Sequence, residues 1–443
     1  MGNDSSKNKN GMAGSQYGGL YIHLDKSVYS PEETATGTIN IQLHQPFPGY
    51  QLHMTLQGTE FARWVQRQRR TRRRKGKTSH YYVNVTRRAQ LETINQNITI
   101  YTWDQNQGMI PPGQYSFPFA FMIPKGLPGS FYFQRGSAIG SIRYLIKGFL
   151  VPSDPRVPTV QHERDLTIRE NLYQQIQTRE TFVNKEIKSC CCISKGNLNI
   201  KTYFEKNAYA PGETARIISE IDNSSCSSAI SSLKFELVQS INLQAQRFHK
   251  SLSSVISSTS LGKIEGGAPK EVKESSIKLP PGQEGKVMEY NDGDNQYQDE
   301  SALVNSITPS VNGFLVKSNF ALRLSTEVDA CVCCDVMPQT SLPIQVYSVA
   351  LLNQPVPVVP NWQPIQMPVS NLTVNMLSIP ADYQLNQYDN NMINNTNMMD
   401  YNQMPQQSFQ NYGENTYTSN QVVLQSQPMA NNVEMVNYNQ YVQ

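Results

Sequence analysis

The chain reads as an all-β protein: two tandem immunoglobulin-like antiparallel β-sandwich domains followed by a disordered C-terminal tail. Three observations carry that reading. Lys26 to Ala35 recurs as Lys206 to Ala215, identical at six of ten positions at a constant offset of 180. Short runs of β-branched and aromatic residues alternate with Pro/Gly turns. Helical 3.6 periodicity is scarce, with Leu166 to Lys188 the one ambiguous stretch. Hydrophobic residues make up 38% and charged residues 16% of the 443, both low for a chain packed throughout, so part of the length lies outside any core.

Residues 1–16 are small and polar and have no apolar h-region, so they are not read as a secretory signal. Gly2 with Ser6 fits the N-myristoylation pattern, and one such chain gives only marginal membrane binding, so a second signal is expected. The first sandwich is placed at 17–188. Tyr21-Ile-His-Leu alternates as a strand, Pro31 marks a turn, and Thr38 to Leu43 is the next strand. After Trp64 comes a block, Arg67 to Lys77, with eight cations (Arg67, Arg69, Arg70, Arg72, Arg73, Arg74, Lys75, Lys77) and no acid. It is read as an exposed loop between two strands, with Trp64, Tyr81 and Tyr82 facing the core.

The second sandwich is placed at 189–352. Leu198 to Phe204 and Ala215 to Ile221 flank the second copy of the turn. Pro111-Pro112-Gly113-Gln114 recurs as Pro280-Pro281-Gly282-Gln283, so the echo runs along both halves. Ser251 to Glu300, rich in Ser, Gly and charge, is read as a long loop. Residues 353–443 form the tail, Pro-rich and then Asn/Gln-rich. Its part from 371 holds 27 Asn/Gln and lacks the apolar density to order itself.

The net charge of +3 averages opposed parts. From Ser325 onward there is no Lys or Arg and there are eight acids, against the +8 block. That block admits several partners: an anionic leaflet, a phosphorylated receptor tail or phosphoinositide headgroup held by guanidinium forks, a nucleic acid, or solvent alone. The cysteines leave alternatives open too. Cys190-Cys191-Cys192 and Cys331, Cys333, Cys334 bracket the second half. They admit a structural zinc, S-acylation of the first cluster, or plain reduced thiols. Tyr401-Asn-Gln-Met404 fits a Tyr-x-x-bulky sorting motif. Six dispersed His and no recognisable nucleophile or nucleotide motif argue against an enzyme and against a bound cofactor.

The order of motifs resembles the arrestin family, especially the α-arrestin (arrestin-domain-containing) branch. The motifs are Tyr29-x-Pro31-x-Glu33, Leu52-x-Met-x-Leu56-x-Gly58-x-Glu60-x-x-x-Trp64, Pro112-Gly113 through Pro124, Leu127-Pro128-Gly-Ser130-Phe131, Tyr209-x-Pro211-Gly212-Glu213 and Ser341-Leu342-Pro343-Ile344. The resemblance covers 17–352. It implies two sandwiches joined by a short hinge. It also implies an adaptor for cytoplasmic tails of membrane receptors or transporters, coupled to trafficking machinery for endocytosis or sorting. The place implied is the cytosolic face of the plasma membrane or endosomes. α-Arrestins recruit WW-domain ligases through Pro-Pro-x-Tyr; here Pro111-Pro112-Gly113-Gln114-Tyr115 has one residue too many, so that link is not expected. A retromer-type coat subunit sharing the fold, and a nucleic-acid-binding protein using the Arg block, are the alternatives.

Overall fold

A computed structural model describes residues 13–74, 77–104, 108–170, 175–189, 193–282, 307–329, 337–347 and 361–377. Among the described residues every regular element is a strand. The first sandwich contains β1 (Ala13–Ser15), β2 (Gly18–Leu24), β3 (Thr34–Leu43), β4 (Gly49–Arg74), β5 (Lys77–Thr102), β6 (Gly113–Met122), β7 (Phe131–Arg135), β8 (Ala138–Pro152) and β9 (Gln161–Asp165). The second contains β10 (Arg179–Ser189), β11 (Ile193–Phe204), β12 (Ala208–Tyr209), β13 (Thr214–Asp222), β14 (Ile230–Ala245), β15 (Phe248–Ile264), β16 (Glu271–Lys278), β17 (Val311–Asn312), β18 (Val316–Val328) and β19 (Gln339–Val346). Two short strands follow, β20 (Ile365–Gln366) and β21 (Ser370–Leu372).

In the first sandwich, a sheet ordered β1-β2-β3-β6-β20 faces one ordered β5-β4-β8-β7. In the second, β10-β11-β13-β16 faces β12-β19-β18-β14-β15. Period-2 alternation sends one side of each strand inward, as the buried/intermediate alternation of β3 records. Phe117, Phe119 and Phe121 on β6 and Leu52, Met54 and Leu56 on β4 fill one core; Leu198, Ile200, Phe204 and Phe235 fill the other.

The duplicated turn does the same work twice. The Lys26 amide donates to the Tyr29 hydroxyl at 3.1 Å, and the Lys206 amide donates to the Tyr209 hydroxyl at 3.2 Å. Both tyrosines are buried. Glu33 Oε2 accepts the Ser30 amide and Glu213 Oε2 accepts the Ala210 amide, each at 2.8 Å. Lys26–Glu33 and Lys206–Glu213 close each turn as ion pairs. The sequence repeat is therefore a repeat of hydrogen bonds that pin the strand-to-strand corner of each sandwich.

Four readings from sequence change. Residues 179–188, placed with the first sandwich, pair along β11 of the second. The expected long loop after Ser251 holds most of β15 and all of β16, leaving only 283–306 outside the described residues. The Arg block is strand, not loop, as set out below. Part of the segment read as disordered is a docked strap. Its β20 and β21 run parallel to β6 (Ile365↔Tyr115, Ser370↔Phe119), and Val374 is buried in the first core. Gln96 Nε2 on β5 donates to the Asn375 carbonyl and the Leu377 amide donates to the Thr93 carbonyl. The strap thus bridges the open edges of both sheets, satisfying β6 backbone groups that would otherwise template foreign strands.

Candidate functional site

β4 and β5, 26 residues each, form one hairpin from Gln51↔Thr102 to Arg74↔Lys77, with register shifts after Leu52 and Gly58 and unbroken register from Thr59↔Glu92 outward. The third strand, β8, accompanies β4 only as far as Arg63↔Ile139. Beyond that point the hairpin leaves the sandwich as a two-stranded ribbon. Its base is fixed by Trp64, which is buried, and by Arg87, whose guanidinium lies 3.4 Å from the centroid of the Phe248 ring on β15. Arg87 also donates to Gln66 Oε1 at 3.1 Å.

The basic block is thus the distal half of a strand. Arg67, Arg69, Arg70, Arg72, Arg73, Arg74 and Lys77 are all exposed, and among the described residues no ion pair involves them. Residues 61–91 hold eleven Lys and Arg and no Asp or Glu, so the ribbon has no counter-ion of its own. Tyr81 and Tyr82, expected in the core, are 45% and 58% exposed. The reason is geometric: at their height there is no second sheet to face. Tyr82 instead supports Arg67, whose guanidinium sits 4.1 Å from its ring centroid. Thr71 and His80 join the strands through a 3.1 Å hydrogen bond.

A second polar constellation lies where the two sandwiches meet. Glu60 on β4 is fully buried. Its Oε2 accepts the Leu315 amide at 2.9 Å, with the Phe314 and Val316 amides also directed at the carboxylate. The Phe314 and Leu315 amides belong to the β17–β18 loop of the second domain, and the Val316 amide opens β18. A Cβ added at Gly313 would lie 2.7 Å from Glu60 Oε2, so only glycine lets this loop come so close. Burial pushes the Glu60 carboxyl up to about 7, against the lowering effect of the three amides. Glu170 of the first domain holds the same loop, accepting the Asn312 amide at 2.8 Å and the Gly129 amide at 3.0 Å. Phe314, Leu315 and Val316 then pack into the first core beside Leu243. Burial depresses the neighbouring Lys317 ammonium, which Glu60 partly offsets.

Glu60 appears in the sequence only as part of a family-like motif. The signal for its role is its register: it shares the inward parity of Leu52, Met54, Leu56 and Trp64 on β4, so an acid falls on a core face.

The other predicted site residues lie outside the described residues: Gly2, Lys75, Cys190, Cys191, Cys192, Cys331, Cys333, Cys334, Tyr401 and Met404. Among the described residues no group of His, Cys, Asp and Glu is arranged to hold a metal ion. Ser189 and Asp329, which precede the two cysteine clusters, line one polar cleft of about 600 Å³ together with Lys195 and Glu265. Cys226 is buried and free.

Residues 20–174 match the family model for the arrestin (or S-antigen) N-terminal domain, and residues 194–351 match that for the C-terminal domain. The chain is 26% identical over 242 residues to "Arrestin domain-containing protein A" of Dictyostelium discoideum, covering 54% of this chain and 40% of that protein. It is 24% identical over 277 residues to "Arrestin domain-containing protein 17" of Caenorhabditis elegans, covering 59% and 61%. It is 20% identical over 236 residues to "Arrestin domain-containing protein 1" of Rattus norvegicus, covering 52% and 48%. The matched region thus spans 40% to 61% of the length of these relatives.

Proposed function

The chain belongs to the arrestin family, among its arrestin-domain-containing members, and from that premise we propose that it is a trafficking adaptor working at the cytosolic face of the plasma membrane or endosomes. Arrestin-family proteins are generally non-enzymatic adaptors that bind cytoplasmic regions of membrane receptors. In this chain the two sandwiches take cytoplasmic tails of receptors or transporters as cargo and link them to endocytosis or sorting. The mechanism is binding alone, through strand edges, loops and the surfaces between the domains.

The observation that carries the membrane part is the acid-free ribbon standing off the first sandwich. A single myristoyl group at Gly2 holds a protein only weakly and reversibly. Basic side chains at an anionic leaflet add about 1 kcal/mol each and lose that within a Debye length. The ribbon presents its cations beyond the body of the protein, where that distance can be closed. Membrane fractionation of the full chain tests this. Gly2→Ala lowers the membrane-bound share, and adding Arg69→Gln, Arg70→Gln, Arg72→Gln, Arg73→Gln and Arg74→Gln lowers it further. An unchanged share in both variants refutes the two-signal reading.

A further inference from the structure

The pleat of the free ribbon divides its cations between two opposite faces. From Trp64↔Arg87 outward to Arg74↔Lys77 the hairpin is eleven residue pairs long with no third strand paired to it. At about 3.4 Å per residue it projects on the order of 34 Å. The face continuing from Trp64 carries Arg70, Arg72, Arg74 and Lys77, the opposite face Arg67, Arg69 and Arg73. Each face has one exposed tyrosine at the same height: Tyr81 is paired with Arg70, and Tyr82 with Arg69. The ribbon has no neutral back.

A flat anionic plane touches one face of such an element and leaves the other face in water. Full engagement needs anions on both sides at once. Resting on the reading that the chain works at the cytosolic leaflet, we propose that the ribbon stands edge-on among lipid headgroups that carry several phosphates, the polyphosphoinositides, with Arg67, Arg69 and Arg73 on one headgroup and Arg70, Arg72 and Arg74 on another. Such headgroups rise from the leaflet and offer phosphate oxygens sideways. Phosphatidylserine keeps its charge in the leaflet plane. Six guanidinium forks in the block match phosphate bidentately, where ammonium groups would act only as point charges. Same-face neighbours Arg67–Arg69, Arg70–Arg72 and Arg72–Arg74 are about 7 Å apart and Arg69–Arg73 about 14 Å, a span that two long arginine side chains can close, so each triple can converge on the phosphates of one headgroup. Tyr81 and Tyr82, amphipathic and half exposed, suit the headgroup depth on either side. No carboxylate within residues 61–91 competes for the forks.

The test is co-sedimentation of the full chain with phosphatidylcholine vesicles doped with phosphatidylserine or with phosphatidylinositol bisphosphate at matched surface charge. The inositol-lipid vesicles should bind at least about tenfold tighter. R67Q/R69Q/R73Q and R70Q/R72Q/R74Q should each, alone, weaken that binding about a hundredfold. Replacing the same six arginines by lysine should erase the preference while leaving phosphatidylserine binding intact. This charge-conserving variant separates fork recognition from folding and from bulk charge. If only one triple matters, the ribbon lies flat and the proposal falls. Equal affinity for the two vesicles at matched charge also overturns it, while leaving membrane residence through Gly2 and the ribbon standing. Tighter binding at the same salt to free inositol polyphosphate, to a phosphopeptide or to duplex RNA overturns it in favour of that ligand.

Discussion

Replacing Glu60 by glutamine should remove a specific part of this protein's pH dependence. The carboxyl is fully buried and its pKa is pushed up from the ordinary 4.5 to about 7, mainly by burial. The folded chain therefore holds a proton between those values that the unfolded chain has released. With the folded pKa raised, the stabilising contribution is complete below about 4.5 and is lost as pH rises through 7. The full shift is worth about 3 kcal/mol, and the part between pH 5 and pH 8 about 2 to 3 kcal/mol. Glu170, Tyr144 and Lys317 are the titratable groups that act on Glu60. Tyr144 titrates well above this window, since burial raises it. The amide that replaces the carboxyl in Glu60→Gln is uncharged at all of these pH values, yet it keeps an acceptor for the Leu315 amide. Urea unfolding followed by tryptophan fluorescence should show the wild type and Glu60→Gln alike at pH 5. At pH 8 the wild type should be the less stable by about 2 to 3 kcal/mol. A wild-type-minus-variant difference that stays flat between pH 5 and pH 8 refutes the argument. So would a difference of opposite slope, which would mean that the three backbone amides outweigh burial.

Two further outcomes follow from the fold. Glu33→Ala and Glu213→Ala remove the same pair of interactions from the two corner turns, so each should cost about 1 to 2 kcal/mol in denaturant titration; a loss confined to one would show that the repeated hydrogen bonds are not equivalent in energy. Ending the chain at residue 360 strips the strap from β6 and removes the burial of Val374. The truncated protein should lose about 1 to 3 kcal/mol and scatter light increasingly with concentration, whereas unchanged scattering would mean that the β6 edge is protected without the strap.

The tandem architecture is legible in the sequence because its marker is local. Tyr29, Pro31 and Glu33 sit within one turn, their hydrogen bonds span three residues, and the second copy repeats them. The ribbon is not legible as strand. With arginine on both faces it lacks the hydrophobic alternation that marks a half-buried strand, and a run of like charges reads as loop. β15 hides for the same reason, being a mostly polar, Ser-rich edge strand. Tyr81 and Tyr82 do lie on a strand, but in solvent instead of core, since strand pattern does not reveal where a hairpin outgrows its sheet. The strap is invisible because its bonds join residues as far apart as Gln114 and Gln363. At the candidate site, composition is enough to find the basic residues, but their division between two faces requires the register of β4 against β5.

The strap also has a consequence for the order in which the chain is made. β6 leaves the ribosome early, yet the segment that completes its edge ends at Leu377, after the whole second sandwich. At about 5 to 20 residues per second, the roughly 200 residues after β9 take on the order of 10 to 40 s to synthesise. For that time the first sandwich exists with one side unsealed, waiting for its last piece. Nascent chains would be most exposed to chaperones, and to mispairing with one another on a polysome, in this interval.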